Sequence, residues 1–198
     1  VLFKIENIPF NKKSLKMPDK RNNIRRSDRA ESEIEFLEFV LENTISCTIA
    51  VQTEEFPLIH STFFVYDKEQ NEIIFHLSKH GFGGSEIVSG KKIAISIYKY
   101  GKLYTAQKAV DFGCEYQSVI VYGVINRIEE ETEKRAAMEL FFNRFFSHIP
   151  TESYQEFSNV EAHPIFVVKV AIDQWFGKQH LEPEKAIESF YSEVKPVI

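Results

Sequence analysis

A glycine-rich run between two predicted elements is the part of this chain best suited to bind a charged ligand. The run Gly81-Phe82-Gly83-Gly84-Ser85, called the glycine segment below, follows a strand-like stretch at 71–75 and precedes a short apolar helical stretch at 86–88. A turn between a strand and a helix N-terminus directs several backbone N–H groups at one point, a geometry that binds phosphate. Lys79 and the Ser85 hydroxyl can add a charge and another donor. The segment is therefore a candidate site for a phosphorylated ligand or cofactor, with a plain glycine turn as the alternative.

Other motifs that carry chemistry are missing from the sequence. It contains no Gly-x-Ser-x-Gly elbow, no P-loop lysine after the glycines and no dinucleotide-binding fingerprint. Its two cysteines, Cys47 and Cys114, lie in apolar strand-like stretches and are too few for a zinc site. We expect them to be buried free thiols, which suits a reducing cytoplasm. The sequence thus predicts a cytoplasmic protein without a metal site.

The predicted elements that position the glycine segment are mostly short strands. The first helix is expected to begin with a capping box, in which Ser32 is the N-cap and Glu35 reaches back to it. Gly90 is expected to end the short helix after the glycine segment. Residues 99–113 show no regular pattern. Strands are predicted at 45–53, 58–66, 72–77, 91–98, 116–128 and 165–172, and helices from 34 for about 11 residues, at 129–146 and at 182–191.

The order of these elements indicates the fold class. Ile93, Ile95 and Ile97 share one face of a strand, because alternate residues point the same way. Met138, Phe141, Phe142 and Phe145 form one face of the 129–146 helix. Hairpin spacing dominates, and long crossovers between parallel strands are few. The pattern is typical of a mainly β protein, an antiparallel barrel with helices at its rim, and not of a doubly wound sheet.

Charge and length exclude some classes of partner. The chain has 198 residues and a net charge of −5, but residues 11–29 alone carry +6, which leaves −11 for the rest. This acidic body would repel a phosphate backbone, so we expect no nucleic-acid binding and a basic arm that packs on the body or on a partner subunit. The chain has no stretch of about 20 apolar residues, and 1–10 has no signal-peptide core, so no membrane association is expected.

Four motifs resemble, in their order, those of a known family. They are Arg25-Arg26-Ser27-Asp28-Arg29 before the first helix, Phe75-His76-Leu77-Ser78-Lys79-His80-Gly81 after the third strand, Tyr116-Gln117-Ser118-Val119-Ile120-Val121-Tyr122-Gly123, and Phe176-Gly177-Lys178. The chain resembles the pyridoxamine-phosphate-oxidase-like FMN-binding split barrels, and among them the branch of nitroimidazole-resistance (Nim) proteins. The resemblance covers about residues 24–179. Each motif alone is weak, and the specificity lies in their order and spacing.

The resemblance implies a six-stranded antiparallel split β-barrel with peripheral helices. It also implies a homodimer that holds FMN in two grooves at the subunit interface. The corresponding domain division is a basic N-terminal arm at 1–23, the FMN-binding barrel at 24–179 and a C-terminal helical extension at 180–198.

Two departures from the family pattern concern the cofactor site. Gly83 stands where the family usually has the lysine that holds the FMN phosphate, and Ser61-Thr62-Phe63-Phe64 replaces a Pro-hydrophobic-Asn-Tyr strand. Lys79, or the amides of Gly83, Gly84 and Ser85, are candidates to compensate for the missing charge.

The resemblance assigns roles to particular side chains. His76 is the candidate catalytic residue, a proton donor or ring contact at the flavin edge, and the alternative is a histidine hydrogen-bonded in the barrel wall. His60 is expected to face the isoalloxazine, and the alternative is an exposed strand residue. Ser118 and Trp175 are expected to come from the other subunit, although Trp175 also suits a core position. The predicted cofactor-binding set is His60, Ser61, Thr62, Ser78, Lys79, Gly81, Gly83, Gly84, Ser85, Ser118 and Trp175.

The implied function is that of an FMN-dependent oxidoreductase. The flavin would carry the redox chemistry, with electrons from NAD(P)H or another donor, and the Nim branch implies reduction of a nitro-aromatic substrate such as a 5-nitroimidazole. The alternative is a non-catalytic split-barrel protein that binds haem, another flavin or another small ligand, because fold alone does not fix function.

Overall fold

The computed structural model describes residues 26–155 and 157–192, and within them the chain is mainly antiparallel β-sheet. The predicted basic arm at 1–23 lies outside the described residues. The strands are β1 (Ala30–Glu31), β2 (Ser46–Val51), β3 (Leu58–Asp67), β4 (Glu72–Ser78), β5 (Lys92–Tyr104), β6 (Gly113–Ile128), β7 (Ile165–Ala171), β8 (Gln174–His180) and β9 (Ser189–Phe190). The helices are α1 (Ile34–Glu42), α2 (Phe82–Glu86), α3 (Glu131–Phe146) and α4 (Asn159–Ala162).

Six of the strands close into a ring, which confirms the predicted barrel. Each strand in the order β6, β7, β4, β3, β2, β5 pairs with the next, and β5 pairs again with β6. The ring is possible because β6 is long enough to use different partners along one edge. Its residues Tyr116–Tyr122 pair with β8, and its residues Ile125–Ile128 pair with β7. β1 extends the ring beyond β8, and β9 lies along the end of β5.

The interior of the ring is filled by alternate residues of its strands. Ile93, Ile95 and Ile97 of β5 are all buried, as predicted from their spacing. They belong to one apolar cluster that also includes Phe64 and Phe75 of the β3–β4 hairpin. A second cluster lies outside the ring, where α3 covers β4 and β7. The barrel wall therefore has an inner face packed throughout and an outer face covered only in part.

Helix α3 follows the prediction closely, whereas the start of α1 does not. α3 begins two residues later than predicted and buries Met138 and Phe141, with Phe142 and Phe145 partly buried beside them. The predicted capping box before α1 is wrong. The N-cap is Glu33 and no side chain caps the helix, because Ser32 directly follows β1 and its hydroxyl contacts the Glu33 carboxylate.

The predicted C-terminal helix at 182–191 is also wrong. The segment lies extended against the end of β5, which continues to Tyr104 where no regular structure was predicted. Thr105 exchanges backbone hydrogen bonds with Ile187 and Glu188, and Leu103 pairs with Phe190. Apolar side chains in this segment are exposed, so a helix would have had no buried face to stabilise it.

Two smaller expectations concern thiols and membranes. Neither cysteine forms a disulfide; Cys47 is buried, which raises the pKa of its thiol to about 12, and Cys114 is half-buried. No helix in the described residues is both long and apolar enough to cross a bilayer.

Candidate active site

An opening in the barrel wall lies between β3 and β4. The ladder between these strands joins Phe64–Asp67 to Glu72–Phe75, and in the described part of the chain it is not continued by Leu58–Phe63 of β3. β2 still pairs with that part of β3, and β7 still pairs with β4 as far as Ser78. The backbone groups of the two strands that face each other here are free of ladder bonds. We call this region the barrel opening, bounded by Leu58–Phe63 and His76–Ser78.

The glycine segment begins three residues after Ser78, where the β4 side of the barrel opening ends. Gly81 has a φ of 88°, which turns the chain out of β4, and α2 begins at Phe82. The helix thus begins inside the glycine segment, four residues earlier than predicted, and Gly90 (φ 89°) turns the loop beyond it without ending it. The sequence correctly placed a strand, a glycine turn and a helix in succession.

Gly83 and Gly84 differ in whether packing requires a glycine at their positions. A Cβ on Gly84 would lie 2.2 Å from the carbonyl oxygen of Lys79, so only glycine lets α2 pack this closely on the end of β4. A Cβ on Gly83 would lie 3.5 Å from Cδ1 of Leu77, an ordinary contact. Gly84 is therefore required by packing, whereas the Gly83 position, where the resemblance implies a lysine, has room for a Cβ.

His76 lies at the barrel opening on the outer face of β4. Its ring contacts Phe141 of α3 edge-on, with 5.2 Å between ring centroids. Its Nδ1 atom is buried and has no hydrogen-bond partner in the described part of the chain. Burial lowers the pKa of His76 below its ordinary value, so the imidazole is neutral at pH 7. A buried ring nitrogen without a partner is costly, and a ligand or water that reaches it gains a hydrogen bond.

The lowered pKa of His76 predicts a pH dependence of stability. The unfolded chain takes up a proton at the ordinary histidine pKa of about 6.5, before the folded protein does. The stability contributed by the neutral ring is therefore complete above that pH, and it is lost as pH falls through the lower folded pKa. We expect urea unfolding curves between pH 7 and pH 5 to show a smaller loss of stability for His76→Gln than for wild type. An unchanged slope in His76→Gln would contradict the assignment.

Three of the predicted hydroxyls lie at the barrel opening and already have local partners. The Ser61 hydroxyl lies 3.1 Å from that of Thr48 on β2. The Thr62 hydroxyl has two acceptors for its one proton, the carbonyl of Phe63 at 3.3 Å and, across the opening, that of His76 at 3.4 Å, and Ser78 accepts from the backbone of His80 at 3.1 Å. Each serine or threonine oxygen can still accept or donate a further bond. The barrel wall thus positions these hydroxyls, and each keeps the capacity for a hydrogen bond to a ligand.

Two other predicted groups point elsewhere. The Ser85 hydroxyl donates to the carbonyl of Phe82 within the same helix turn, at 2.9 Å. The Lys79 ammonium lies 5.6 Å from the ring centroid of Phe166 on β7. The compensation of a missing phosphate ligand by Lys79 therefore remains a prediction, and it requires this side chain to leave Phe166.

The remaining predicted residues are not all brought together. His60 and Thr62 share the inner face of β3 with the buried Leu58, whereas Ser61 lies on the outer face. Trp175 is 6 % exposed and belongs to the barrel core, the alternative given for it above. Ser118 lies on β6, opposite Lys178 of β8, and is separated from β3 by two strands. The contribution of Ser118 to the cofactor site of a second subunit stays a prediction.

A strip of small residues on the outer face was missed from the sequence. Thr48 of β2 is paired with Ser61 of β3 on one side and with Ser96 of β5 on the other. Ala50 and Ala94 form the adjacent row. Strict alternation along β2 was the available signal, because Cys47, Ile49 and Val51 are buried and the residues between them are all small. The strip is a flat surface that begins beside the barrel opening.

A cavity elsewhere on the described surface does not include the predicted site residues. A surface cavity of about 190 Å³ lies on the far side of α3, near Arg135 and Tyr154, and none of the predicted site residues lines it. Among the described residues, no group of three or more histidine, cysteine, aspartate or glutamate side chains could hold a metal ion.

Solved structures with the same fold come from several bacteria. A flavocytochrome, Anf3, from Azotobacter vinelandii is 18 % identical, with a TM-score of 0.75 over 90 % of this chain and 87 % of that one. An FAD and heme binding protein from Mycobacterium smegmatis is 19 % identical, with a TM-score of 0.68 over 76 % of this chain and 73 % of that one. A candidate 5-nitroimidazole antibiotic resistance protein from Bacteroides thetaiotaomicron is 18 % identical, with a TM-score of 0.61 over 76 % of this chain and 86 % of that one. At these identities the likeness shows the fold alone.

Sequence comparison identifies the family. No curated protein matches the chain. The family described as pyridoxamine 5'-phosphate oxidase matches residues 33–179, which include the barrel opening, the glycine segment and every strand of the ring. The chain therefore belongs to the pyridoxamine 5'-phosphate oxidase family.

Proposed function

We propose that the protein is a flavin-dependent oxidoreductase that binds FMN at the barrel opening. The observation that carries the proposal is the interrupted β3–β4 ladder, since it leaves polar side chains and free backbone groups beside the glycine segment. The buried, unpartnered Nδ1 of His76 fits a site that a ligand completes. Membership of the pyridoxamine 5'-phosphate oxidase family supports redox chemistry at this place.

The chain's own groups suggest how the cofactor is held. The glycine segment would face its phosphate, and the strip of Ser61, Thr48 and Ser96 would lie under its ring system. The three residues lie on neighbouring strands in the order β3, β2, β5, so the strip spans about 10 Å from β3 to β5 at the usual strand spacing. When bound, the flavin supplies the transfer of electrons to or from a small organic substrate. Neutral His76 would make a hydrogen bond to the ligand through Nδ1 at the edge of the site, or accept a proton there.

The substrate class is the most specific part of the proposal. The sequence resemblance to the Nim branch and the fold of the candidate resistance protein support a nitro-aromatic substrate such as a 5-nitroimidazole. Reduction of a nitro group consumes electrons and protons together; the bound flavin would supply the electrons, and the protons would come from water, because a neutral imidazole accepts protons and does not donate them as an acid. The physiological electron donor would be NAD(P)H or an equivalent two-electron reductant.

We also propose a homodimer that buries the outer face of the barrel. Ile59, Phe63 and Tyr98 are 68, 56 and 53 % exposed there, around the strip of small residues. Apolar side chains grouped on one face are typical of an interaction surface. A second copy seated on this face would enclose a cofactor lying on the strip.

The flavin proposal is tested by the visible absorption spectrum of the purified protein, before and after saturation with FMN and removal of the excess. We expect a bound-flavin spectrum at about one flavin per subunit. The same titration with FAD identifies which flavin is preferred. A protein that retains neither flavin would contradict the proposal.

Matched variants test the phosphate contact separately. Gly83→Lys should tighten FMN binding about tenfold, because a charge-assisted bond to phosphate contributes about 1.5 kcal/mol and the position has room for a Cβ. Riboflavin, which lacks the phosphate, should bind the variant and wild type equally. If Lys79 replaces the missing lysine, Lys79→Ala should weaken FMN and not riboflavin. Equal FMN affinity in wild type and Lys79→Ala would show that Lys79 does not contact the FMN phosphate.

A non-catalytic binding protein is the second candidate, favoured by the glycine at position 83. Without a lysine there, the site is less suited to a terminal phosphate monoester than the family pattern implies. Two structures of the same fold are described as binding FAD and heme or as a flavocytochrome. A Soret band in the spectrum, or retention of FAD without FMN, would favour this candidate.

A further inference from the structure

Arg127 connects the end of β6 to the glycine segment. It is the penultimate residue of the strand, and its side chain reaches the C-terminal end of α2. Its guanidinium donates to the carbonyl of Gly84 at 3.0 Å and also to the carbonyl of Ile87. Its backbone N–H donates to the hydroxyl of Ser89 at 2.9 Å. One residue thus makes three hydrogen bonds to the stretch that follows the barrel opening.

The aromatic ring of Phe166 holds this guanidinium in place. The central carbon of the guanidinium lies 3.7 Å from the ring centroid of Phe166, close enough for stacking and a cation–π interaction. Phe166 is on β7, which pairs with both β4 and β6. The side chain of Arg127 is therefore fixed between the barrel wall and the carbonyls of α2.

Helix α2 depends on such an external contact. It has five residues, and a helix this short is not stable without tertiary support. Its end offers few backbone donors for the last carbonyls, and Arg127 supplies donors to the carbonyl of Gly84 in the helix and to that of Ile87 just beyond it. The close approach of Gly84 to Lys79 sets how near α2 lies to β4, and Arg127 sets the direction in which it is held.

We propose that Arg127 is a positioning residue that fixes the glycine segment at the edge of the barrel opening for flavin binding. The inference rests on the proposed flavin site, and it concerns how one wall of that site is held. Arg127 acts through the carbonyls of Gly84 and Ile87 and does not itself contact the cofactor. A lysine at this position keeps the charge but cannot make both bonds and the stack together.

The experiment compares Arg127→Lys and Phe166→Leu with Arg144→Lys. Arg144 is also an arginine that donates to backbone carbonyls, but it joins α1 to α3, away from the glycine segment. Hydrogen exchange of the flavin-free proteins is measured first. Amides at 81–89 should exchange about tenfold faster in Arg127→Lys and Phe166→Leu, and at the wild-type rate in Arg144→Lys.

Flavin titrations of the same proteins then measure the consequence for the site. We expect FMN affinity to fall about tenfold in Arg127→Lys, and the absorption bands of the bound flavin to shift at saturation. Arg144→Lys should keep the wild-type affinity and spectrum even if its thermal stability is lower. Unchanged exchange at 81–89, or unchanged affinity and spectrum in Arg127→Lys, would overturn the inference. A wild-type protein that binds no flavin would instead overturn the proposed function, whatever the exchange data show.

Discussion

Gly84→Ala is expected to lower the free energy of unfolding by about 3 kcal/mol and to abolish retention of flavin. The added Cβ would lie 2.2 Å from the carbonyl oxygen of Lys79 and 3.0 Å from that of Ser78, and both are backbone atoms that cannot rotate away. Relief requires α2 to move off the end of β4, an overpacking cost of this size. Because the glycine segment moves with α2, the wall of the barrel opening changes as well. Urea denaturation and FMN titration measure the two effects.

The neighbouring Gly83→Ala provides the control for this prediction. Its Cβ would meet only Cδ1 of Leu77, at 3.5 Å, and alanine is the better helix former by about 1 kcal/mol. We therefore expect this variant to be as stable as wild type or slightly more stable, with flavin retained. If Gly84→Ala and Gly83→Ala behaved alike, the close packing of α2 on β4 would be refuted.

Arg144→Ala is expected to cost about 3 kcal/mol of stability without changing flavin binding. Its guanidinium donates to the carbonyls of Leu41 and Glu42, the last two residues of α1, and of Thr44 just beyond it, at 2.9, 3.2 and 2.6 Å. It also lies 5.4 Å from the ring centroids of Phe64 and Phe145. Removal leaves these carbonyls without a protein donor, at a cost of about 1–3 kcal/mol for a buried group, together with the lost packing.

The control for Arg144→Ala is the same substitution at Arg135. Both residues lie on α3, so the change in helix propensity is equal, but Arg135 is exposed. Thermal unfolding should show a change within about 0.5 kcal/mol for Arg135→Ala. A loss for Arg144→Ala no larger than that would show that the link between α1 and α3 contributes little.

The parts of the fold that follow from local sequence were predictable. The alternation of Ile93, Ile95 and Ile97 predicted the inner face of β5, because alternate residues of a strand point to the same side of the sheet. The helix that became α3 was recognised from its apolar face. The C-terminal helix failed because the free edge of β5 beyond Leu103 determines the conformation of 187–190, and an edge formed by distant residues leaves no local pattern.

The candidate site was predictable in its composition and less so in its geometry. His76 and the glycine segment belong to one continuous stretch of chain, so their proximity could be predicted from the sequence. The interruption of the β3–β4 ladder was not, because it depends on β3 staying with β2 while β4 stays with β7. Arg127 carried a signal that was passed over. By alternation it lies on the same face of β6 as the buried Val121 and Ile125, and a charged residue on that inner face needs a partner inside the protein.

The place of β7 in the ring has a consequence for the order in which the protein can fold. β7 is the late strand that fills the gap between β4 and β6; it begins 87 residues after the end of β4 and 37 residues after the end of β6. Until Ile165–Ala171 has been synthesised, the nascent chain has two unpaired strand edges, at Glu72–Ser78 and at Ile125–Ile128. Such edges can pair with other chains. Closure of the ring therefore waits for a non-local pairing, a kind of step that is slow in folding and that leaves strand edges open to other chains in the meantime.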